Sequence, residues 1–150
     1  MDKNYFFFWG GILSNFHPIH GNAFTSEKIY MAHKAMAFND VETFNLITNS
    51  KTPREAKKLG RKVKGFDQAK WDELKVPAML NALNVKFLAC EEFRETLEGS
   101  KDRILVEASP QDRIWGIGFD EENALANIDN WGENLLGKCL MQIRHDNFGY

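Results

Sequence analysis

The sequence has little cysteine, no long hydrophobic run and almost no net charge. Its two cysteines, Cys90 and Cys139, lie far apart in the 150 residues, which excludes a disulfide framework and a cysteine zinc site. The apolar opening, Tyr5 to Leu13, is too short to span a bilayer and is interrupted by Gly10 and Gly11. We therefore expect a cytoplasmic protein with reduced thiols and no membrane partner.

The charge balance also limits the possible partners. The chain has 19 Lys and Arg against 21 Asp and Glu, a formal net charge of −2, whereas duplex DNA binders need an excess of basic residues to neutralise phosphates. Apolar residues make up 43% of the chain and aromatics 13%, which excludes intrinsic disorder. The length and the lack of repeats or linkers predict a single domain over 1–150.

Helix-start signals recur along the first two thirds of the chain. Thr25 and Ser26 precede a helix at 26–38, Asp40 begins a short helix through 47, and Thr52 with Pro53 begins a helix at 53–59 with capping-box spacing. Asp67 opens a further helix that Pro77 interrupts or restarts, with an apolar stripe formed by Met79, Leu80, Leu83, Phe87 and Leu88.

The remainder mixes short strands with helices. Residues 5–24 are predicted to form extended pieces and turns, and the runs 104–106 and 114–117 are predicted to pair as a small hairpin. Helices are expected over 91–98, after Asp120 to about 128, and after the predicted cap Asn134 through at least Ile143. The predicted fold class is a mainly α, multihelical domain with a minor β element.

The first candidate site lies on the helix that follows Thr25. Glu27 and Lys34 are two helical turns apart on one face, with Tyr30 and Met31 between them. Their Cα atoms should lie roughly 10.5 Å apart along the axis, which leaves room for a small ligand. Partial burial would shift both pKa values toward catalysis. The alternative is a solvated helix edge with ordinary surface charges.

Two further segments carry candidate binding residues. In the segment 112–119, Trp115 offers a flat face for stacking a base, Gly116 and Gly118 permit close approach of the backbone, and Asp112 provides a second carboxylate. A turn aspartate and a core tryptophan explain the same residues. The basic cluster at 54–64 includes Arg61, which follows Gly60 in a loop that could hold a phosphate. A solvated charged face is its alternative.

Ordered motifs along the chain resemble the NADAR, or YbiA-like, N-glycosidase family. They are SNF at 14–16, SEKIYMAHK at 26–34, AKKLGR at 56–61, Trp71 with Met79 and Lys86-Phe87, DRIWGIG at 112–118, and NLLGKCLMQIR at 134–144. The resemblance covers about 8–144. It implies a mainly α fold and hydrolysis of an N-glycosidic bond to ribose. Its implied substrates are phosphoribosylamino pyrimidines of riboflavin synthesis, with release of ribose 5-phosphate.

The resemblance also implies an alternative function and a set of site residues. The alternative is removal of ADP-ribose from modified guanine, in DNA that is single-stranded or flipped out, or ADP-ribose binding without catalysis. Its implied catalytic residues are Glu27, Lys34 and Asp112. The residues expected to bind substrate are Asn15, Phe16, Tyr30, Arg61, Trp115, Gly116 and Asn134. No metal and no organic cofactor is expected.

The expected chemistry assigns several roles to these residues without choosing among them. Breaking a ribose–nitrogen bond builds positive charge at the anomeric carbon, which Glu27 can stabilise, or it can activate water. Asp112 or Lys34 can protonate the leaving nitrogen. Alternatively, Lys34 with a lowered pKa can attack the opened sugar aldehyde and form an imine.

Overall fold

The computed structural model describes residues 4–19 and 24–150. Within them, the chain divides into two compact units, which we name by their position in the sequence. The central unit is Asn15–Cys90, and the terminal unit combines the described part of Met1–Ser14 with Glu91–Tyr150. The prediction of a single domain stays a prediction.

The central unit contains four helices. They are α1 (Ser26–Ala37), α2 (Val41–Thr48), α3 (Pro53–Gly60) and α4 (Gln68–Ala89), and α1 packs against the other three. Each begins at the residue that the sequence predicted, because the side chains of Thr25, Asp40, Thr52 and Asp67 accept hydrogen bonds from backbone N–H groups of the first turn. The helix starts predicted for this unit are therefore confirmed.

Helix α4 differs from its prediction in two ways. It continues through Pro77, so the predicted interruption there is wrong. The expected apolar stripe is also partly wrong, because Leu88 is 80% exposed while Lys86 is fully buried. Burial lowers the pKa of the Lys86 amine to about 8. The buried face of α4 is formed by Trp71, Ala78, Met79, Ala82, Leu83 and Lys86.

The terminal unit contains a two-stranded parallel sheet. Strand β1 (Tyr5–Phe8) pairs with β2 (Ile104–Glu107), with Tyr5 opposite Ile104 and Phe8 opposite Glu107. The predicted hairpin is therefore wrong, because β2 pairs with the start of the chain and residues 114–117 are not a strand. The extended start expected over 5–24 is confirmed for β1, and residues 20–23 of that prediction lie outside the described residues.

Helices complete the terminal unit. They are α5 (Glu91–Gly99), α6 (Glu121–Ala124), a 3-10 helix (Leu125–Asn130) and α7 (Leu135–Phe148). Asp120 caps α6 through the N–H of Asn123, and the helix predicted through about 128 is formed by α6 together with the 3-10 helix that follows it. Helices dominate both units, which confirms the mainly α class with its minor β element. In the described ranges, no helix combines the length and apolar character needed to cross a membrane.

Candidate functional site

The first predicted site lies on one face of α1 in the central unit. Glu27, Tyr30 and Met31 are buried, and Lys34, one turn beyond Tyr30, is half-buried. Glu27 is only 6% exposed and interacts electrostatically with Lys34. The alternative of a fully solvated helix edge does not describe these four residues.

A close contact between α1 and α3 accounts for the position of Arg61, which belongs to the basic cluster at 54–64. A Cβ at Gly60 would collide with the thioether of Met31, so the absence of a side chain at Gly60 lets Met31 pack directly against α3. Arg61 follows Gly60 directly and is exposed. Its guanidinium comes close enough to Lys34 for its charge to act on the Lys34 amine. The structure therefore brings Arg61 into the electrostatic environment of Glu27 and Lys34.

The surroundings of Lys34 lower the pKa of its amine on balance. Burial lowers the pKa of the Lys34 amine, the positive charge of Arg61 lowers it further, and the carboxylate of Glu27 raises it. The Lys34 Nζ also lies 4.7 Å from the centroid of the Phe66 ring, a cation–π contact. Lys34 is therefore an amine with a lowered pKa, next to a carboxylate and an aromatic face.

Sequence reasoning missed Phe66. It lies in the segment between α3 and α4 and is 40% exposed. Its ring packs on Phe38 with centroids 5.3 Å apart, and Phe38 lies 6.3 Å from Trp71, which in turn lies 5.4 Å from Tyr30. No periodic pattern marks an aromatic residue in a loop, and only the fold brings it to Lys34.

Two predicted binding residues lie in the loop before α1. The side-chain oxygen of Asn15 accepts a hydrogen bond from the Ser26 hydroxyl at 2.8 Å, and its amide nitrogen lies 3.4 Å from the Met79 sulfur. Phe16 is exposed, and the Lys57 Nζ lies 5.8 Å from the centroid of its ring. The polar contacts of the buried Asn15 side chain are thus made within the protein.

The other predicted residues belong to the terminal unit. One carboxylate oxygen of Asp112 accepts hydrogen bonds from the N–H groups of Ile114 and Trp115, both at 2.9 Å. This is the geometry of a turn aspartate, the alternative explanation for this residue. Trp115 is half-buried beside it. A catalytic role for Asp112 and a stacking role for Trp115 stay predictions.

The segment after Asp112 connects to the start of α7. The carbonyls of Ile114, Trp115 and Gly116 accept hydrogen bonds from the N–H groups of residues 135, 136 and 134. These bonds satisfy the first N–H groups of α7, which lack partners within the helix. Gly116 is buried, and a side chain there would lie 2.9 Å from the carbonyl oxygens of Glu107 and Asp112.

Asn134 joins α7 to strand β2. Its side-chain oxygen accepts from the Glu107 N–H at 3.0 Å, and its amide nitrogen donates to the Leu105 carbonyl at 2.9 Å. Asn134 occupies the helix-cap position with a left-handed φ of 52°, but its side chain makes no capping bond. The side chain predicted to bind substrate therefore has a structural task, and contact with substrate stays a prediction.

The predicted site residues thus fall into two groups. The central unit holds Glu27, Lys34 and Arg61 in one electrostatic environment, with Tyr30, Asn15 and Phe16 on or before α1. The terminal unit holds Asp112, Trp115, Gly116 and Asn134 in one network of turn and cap hydrogen bonds. Across the described ranges, no three His, Cys, Asp or Glu side chains form a possible metal site.

The fold and the sequence both have known counterparts. The NMR structure of the E. coli protein YbiA superposes with a TM-score of 0.75 at 28% identity, over 97% of this chain and 86% of that one. The family model of the NADAR domain matches residues 7–146. The chain therefore belongs to the NADAR domain family, as its motifs predicted.

Named relatives add a biochemical class. The chain is 38% identical over 125 residues to N-glycosidase R617 of Acanthamoeba polyphaga mimivirus, covering 82% of this chain and 74% of the relative. It is 31% identical over 156 residues to the maize riboflavin biosynthesis protein PYRR, covering 93% of this chain but only 24% of that protein. The first name supports the prediction that this chain is a hydrolase of N-glycosyl compounds.

Proposed function

We propose that this protein hydrolyses the N-glycosidic bond between a ribose 5-phosphate and the amino group of a pyrimidine. The observation that carries the proposal is the buried Glu27 on the same face of α1 as Lys34, where its charge acts on a lysine amine with a lowered pKa. The N-glycosidase name of the mimivirus relative supports the reaction. The name of the maize relative supports a substrate from riboflavin synthesis.

Glu27 acts on the sugar. Opening of the ribosylamine ring, with a proton taken up by the ring oxygen, leaves a protonated imine with positive charge on C1 and its nitrogen, and a carboxylate beside them stabilises that charge. Burial strengthens this interaction, because the local dielectric is lower than in water. In a later step, Glu27 can also take a proton from the water that attacks the lysine imine, which is general-base catalysis.

Lys34 acts as the nucleophile in the proposed reaction. Its free amine adds to C1 of the ring-opened, protonated substrate imine, and the C1–N bond to the pyrimidine amine breaks as that amine leaves with a proton. Water then adds to the lysine imine, which releases the sugar aldehyde and restores the amine. A lowered pKa supports this role, because only the unprotonated amine is nucleophilic.

Arg61 binds the phosphate of the substrate. Its guanidinium is exposed at the end of α3, and its charge already acts on Lys34. Arginine presents several N–H donors in a planar fork that matches phosphate oxygens. A substrate carrying a 5′-phosphate therefore matches this part of the central unit better than an uncharged riboside does.

The proposal is tested with a panel of three substrates. They are a 5′-phosphoribosylamino pyrimidine, the same riboside without phosphate, and an oligonucleotide with an ADP-ribosylated guanine. We expect release of ribose 5-phosphate from the first, with kcat/KM at least tenfold above the second. Release of ADP-ribose from the third alone would support the alternative activity. Tight ADP-ribose binding in calorimetry without any turnover would indicate a binding module.

A further inference from the structure

Two buried polar side chains meet at the start of α1, directly beside the proposed catalytic carboxylate. The hydroxyl of Ser26 donates to the side-chain oxygen of Asn15 at 2.8 Å. The N–H of Glu27 donates to the backbone carbonyl of Asn15 at 3.1 Å. Asn15 therefore receives hydrogen bonds from two consecutive residues of α1, the second of which is Glu27.

The Ser26 hydroxyl is not needed to cap the helix. Thr25 already caps α1, because its side-chain oxygen accepts from the Lys28 N–H and its carbonyl accepts from the Ile29 N–H. Ser26 is the next residue, and its hydroxyl points back to the loop. The start of α1 is thus already capped by Thr25, and the hydrogen bond between Ser26 and Asn15 is a second polar contact that does not serve as the cap.

Burial makes this contact rigid. Ser26 is 0% exposed and Asn15 is 7% exposed, so water cannot replace the bond between them. Asn15 is held from the other side by its amide contact with Met79 on α4. A buried hydrogen bond between two groups without access to water is costly to break, because each would be left unsatisfied.

We infer that Ser26 and Asn15 are positioning residues that fix the backbone of Glu27 for catalysis. This inference rests on the proposed function, because it assumes that Glu27 acts on the sugar. Displacement of a catalytic group by about 1 Å can cost about 100-fold in rate. In this role Asn15 acts through Glu27, whereas the sequence predicted that it binds substrate.

The test compares two serine substitutions in the central unit. Ser26→Ala removes the bond to Asn15, and Ser50→Ala is the matched control, because Ser50 is also buried and its hydroxyl donates to the Ile47 carbonyl at 2.6 Å. On the phosphoribosylamino pyrimidine, we expect Ser26→Ala to lower kcat by a factor of about 10 to 100. We expect its KM to stay within twofold, since the bond positions a catalyst and does not bind substrate.

Circular dichroism and the melting temperature give the folded fraction of each variant at the assay temperature. A kcat of Ser26→Ala equal to that of Ser50→Ala, with Glu27→Gln inactive, overturns the positioning role and leaves the proposed function intact. Full activity of Glu27→Gln overturns the proposed role of Glu27 and the positioning role with it.

A second pair of variants covers the case in which Ser26→Ala does not fold. Ser26→Cys and Ser50→Cys keep nearly the size of serine, but a thiol is a weak hydrogen-bond donor. We expect kcat of Ser26→Cys to be at least fivefold below that of Ser50→Cys, with equal KM. Equal kcat values for the two cysteine variants overturn the inference.

Discussion

The ammonium group of Lys34 lies 4.7 Å from the centre of the Phe66 ring. An aromatic face stabilises the charged form of a lysine, by about 0.5–1 kcal/mol at a partly exposed site. Phe66→Leu should therefore lower the pKa of Lys34 further, because the charged amine loses its contact with the ring. The measurement is the pH dependence of kcat/KM, in which the limb assigned to Lys34 should move to lower pH.

A matched control exists in the terminal unit. The Arg103 guanidinium lies 4.8 Å from the centre of the Phe6 ring, so Phe6→Leu removes a similar contact from another cation. The pH profile of kcat/KM for Phe6→Leu should match that of the unchanged protein. A Phe66→Leu profile that coincides with both would show that the ring does not influence Lys34.

The proposed imine makes Lys34 a site of covalent trapping. Borohydride reduces a lysine imine to a stable secondary amine, so treatment during turnover should add the mass of a reduced ribose phosphate to the peptide that contains Lys34. Lys28→Arg, on the same helix, should keep the adduct. Lys34→Arg should lose the adduct. An adduct on the Lys34→Arg variant, or no adduct on the unchanged protein, would exclude the imine at Lys34.

Asp40 should make stability sensitive to acid. Its carboxylate accepts from the N–H groups of Thr43 and Lys64 at 3.0 and 2.9 Å, and these bonds lower its pKa to about 2. Its pKa in the unfolded chain is about 3.9. Because the pKa of Asp40 is lower in the folded protein than in the unfolded chain, its contribution to stability is complete above about pH 5 and is lost as the pH falls toward 2.

The measurement is the melting temperature of Asp40→Asn and of the unchanged protein against pH. The difference in melting temperature between the two proteins should be largest above pH 5 and should shrink as the pH falls toward 2, where the Asp40 carboxyl group of the folded protein is about half protonated. Glu42→Gln, on the exposed face of α2, should show little difference at any pH. A difference for Asp40→Asn that does not depend on pH would contradict the assignment.

The Asn134 side chain should contribute to stability through strand β2. Asn134→Gly removes its bonds to Glu107 and Leu105 and should cost about 1–3 kcal/mol of unfolding free energy. Asn134→Ala removes the same bonds but keeps a Cβ at a left-handed φ, a strain that glycine relieves, so it should be about 1 kcal/mol less stable than the glycine variant. In urea denaturation, the unfolding free energy should therefore be highest for the unchanged protein, lower for Asn134→Gly and lowest for Asn134→Ala. An alanine variant as stable as the glycine variant would refute the strain.

The elements that could be predicted from the sequence are those with local causes. Thr25, Asp40 and Thr52 bond to N–H groups three residues ahead, so a short window of sequence contains the whole interaction. The pairing of β1 with β2 joins residues about a hundred positions apart, and nothing in either strand specifies the partner. The predicted hairpin instead paired the run at 104–106 with 114–117, the nearest apolar run along the chain.

The candidate site also has some features that local sequence predicts and others that depend on the tertiary fold. The shared face of Glu27 and Lys34 follows from helical periodicity alone. The approach of Arg61 depends on the packing of Gly60 against Met31, and the contact with Phe66 depends on the path of a loop. Asn134 shows the limit most clearly, since a helix-cap asparagine was expected and its side chain instead bonds to strand β2.

The most direct test of the catalytic role of Glu27 is the activity of Glu27→Gln. This variant keeps the shape of the buried side chain and removes its charge and basicity, and Glu42→Gln on α2 is the exposed control. Release of ribose 5-phosphate from the phosphoribosylamino pyrimidine should fall by a factor of about 100 to 10,000 in Glu27→Gln. It should be unchanged in Glu42→Gln. Release by Glu27→Gln within twofold of the unchanged protein would contradict the central claim.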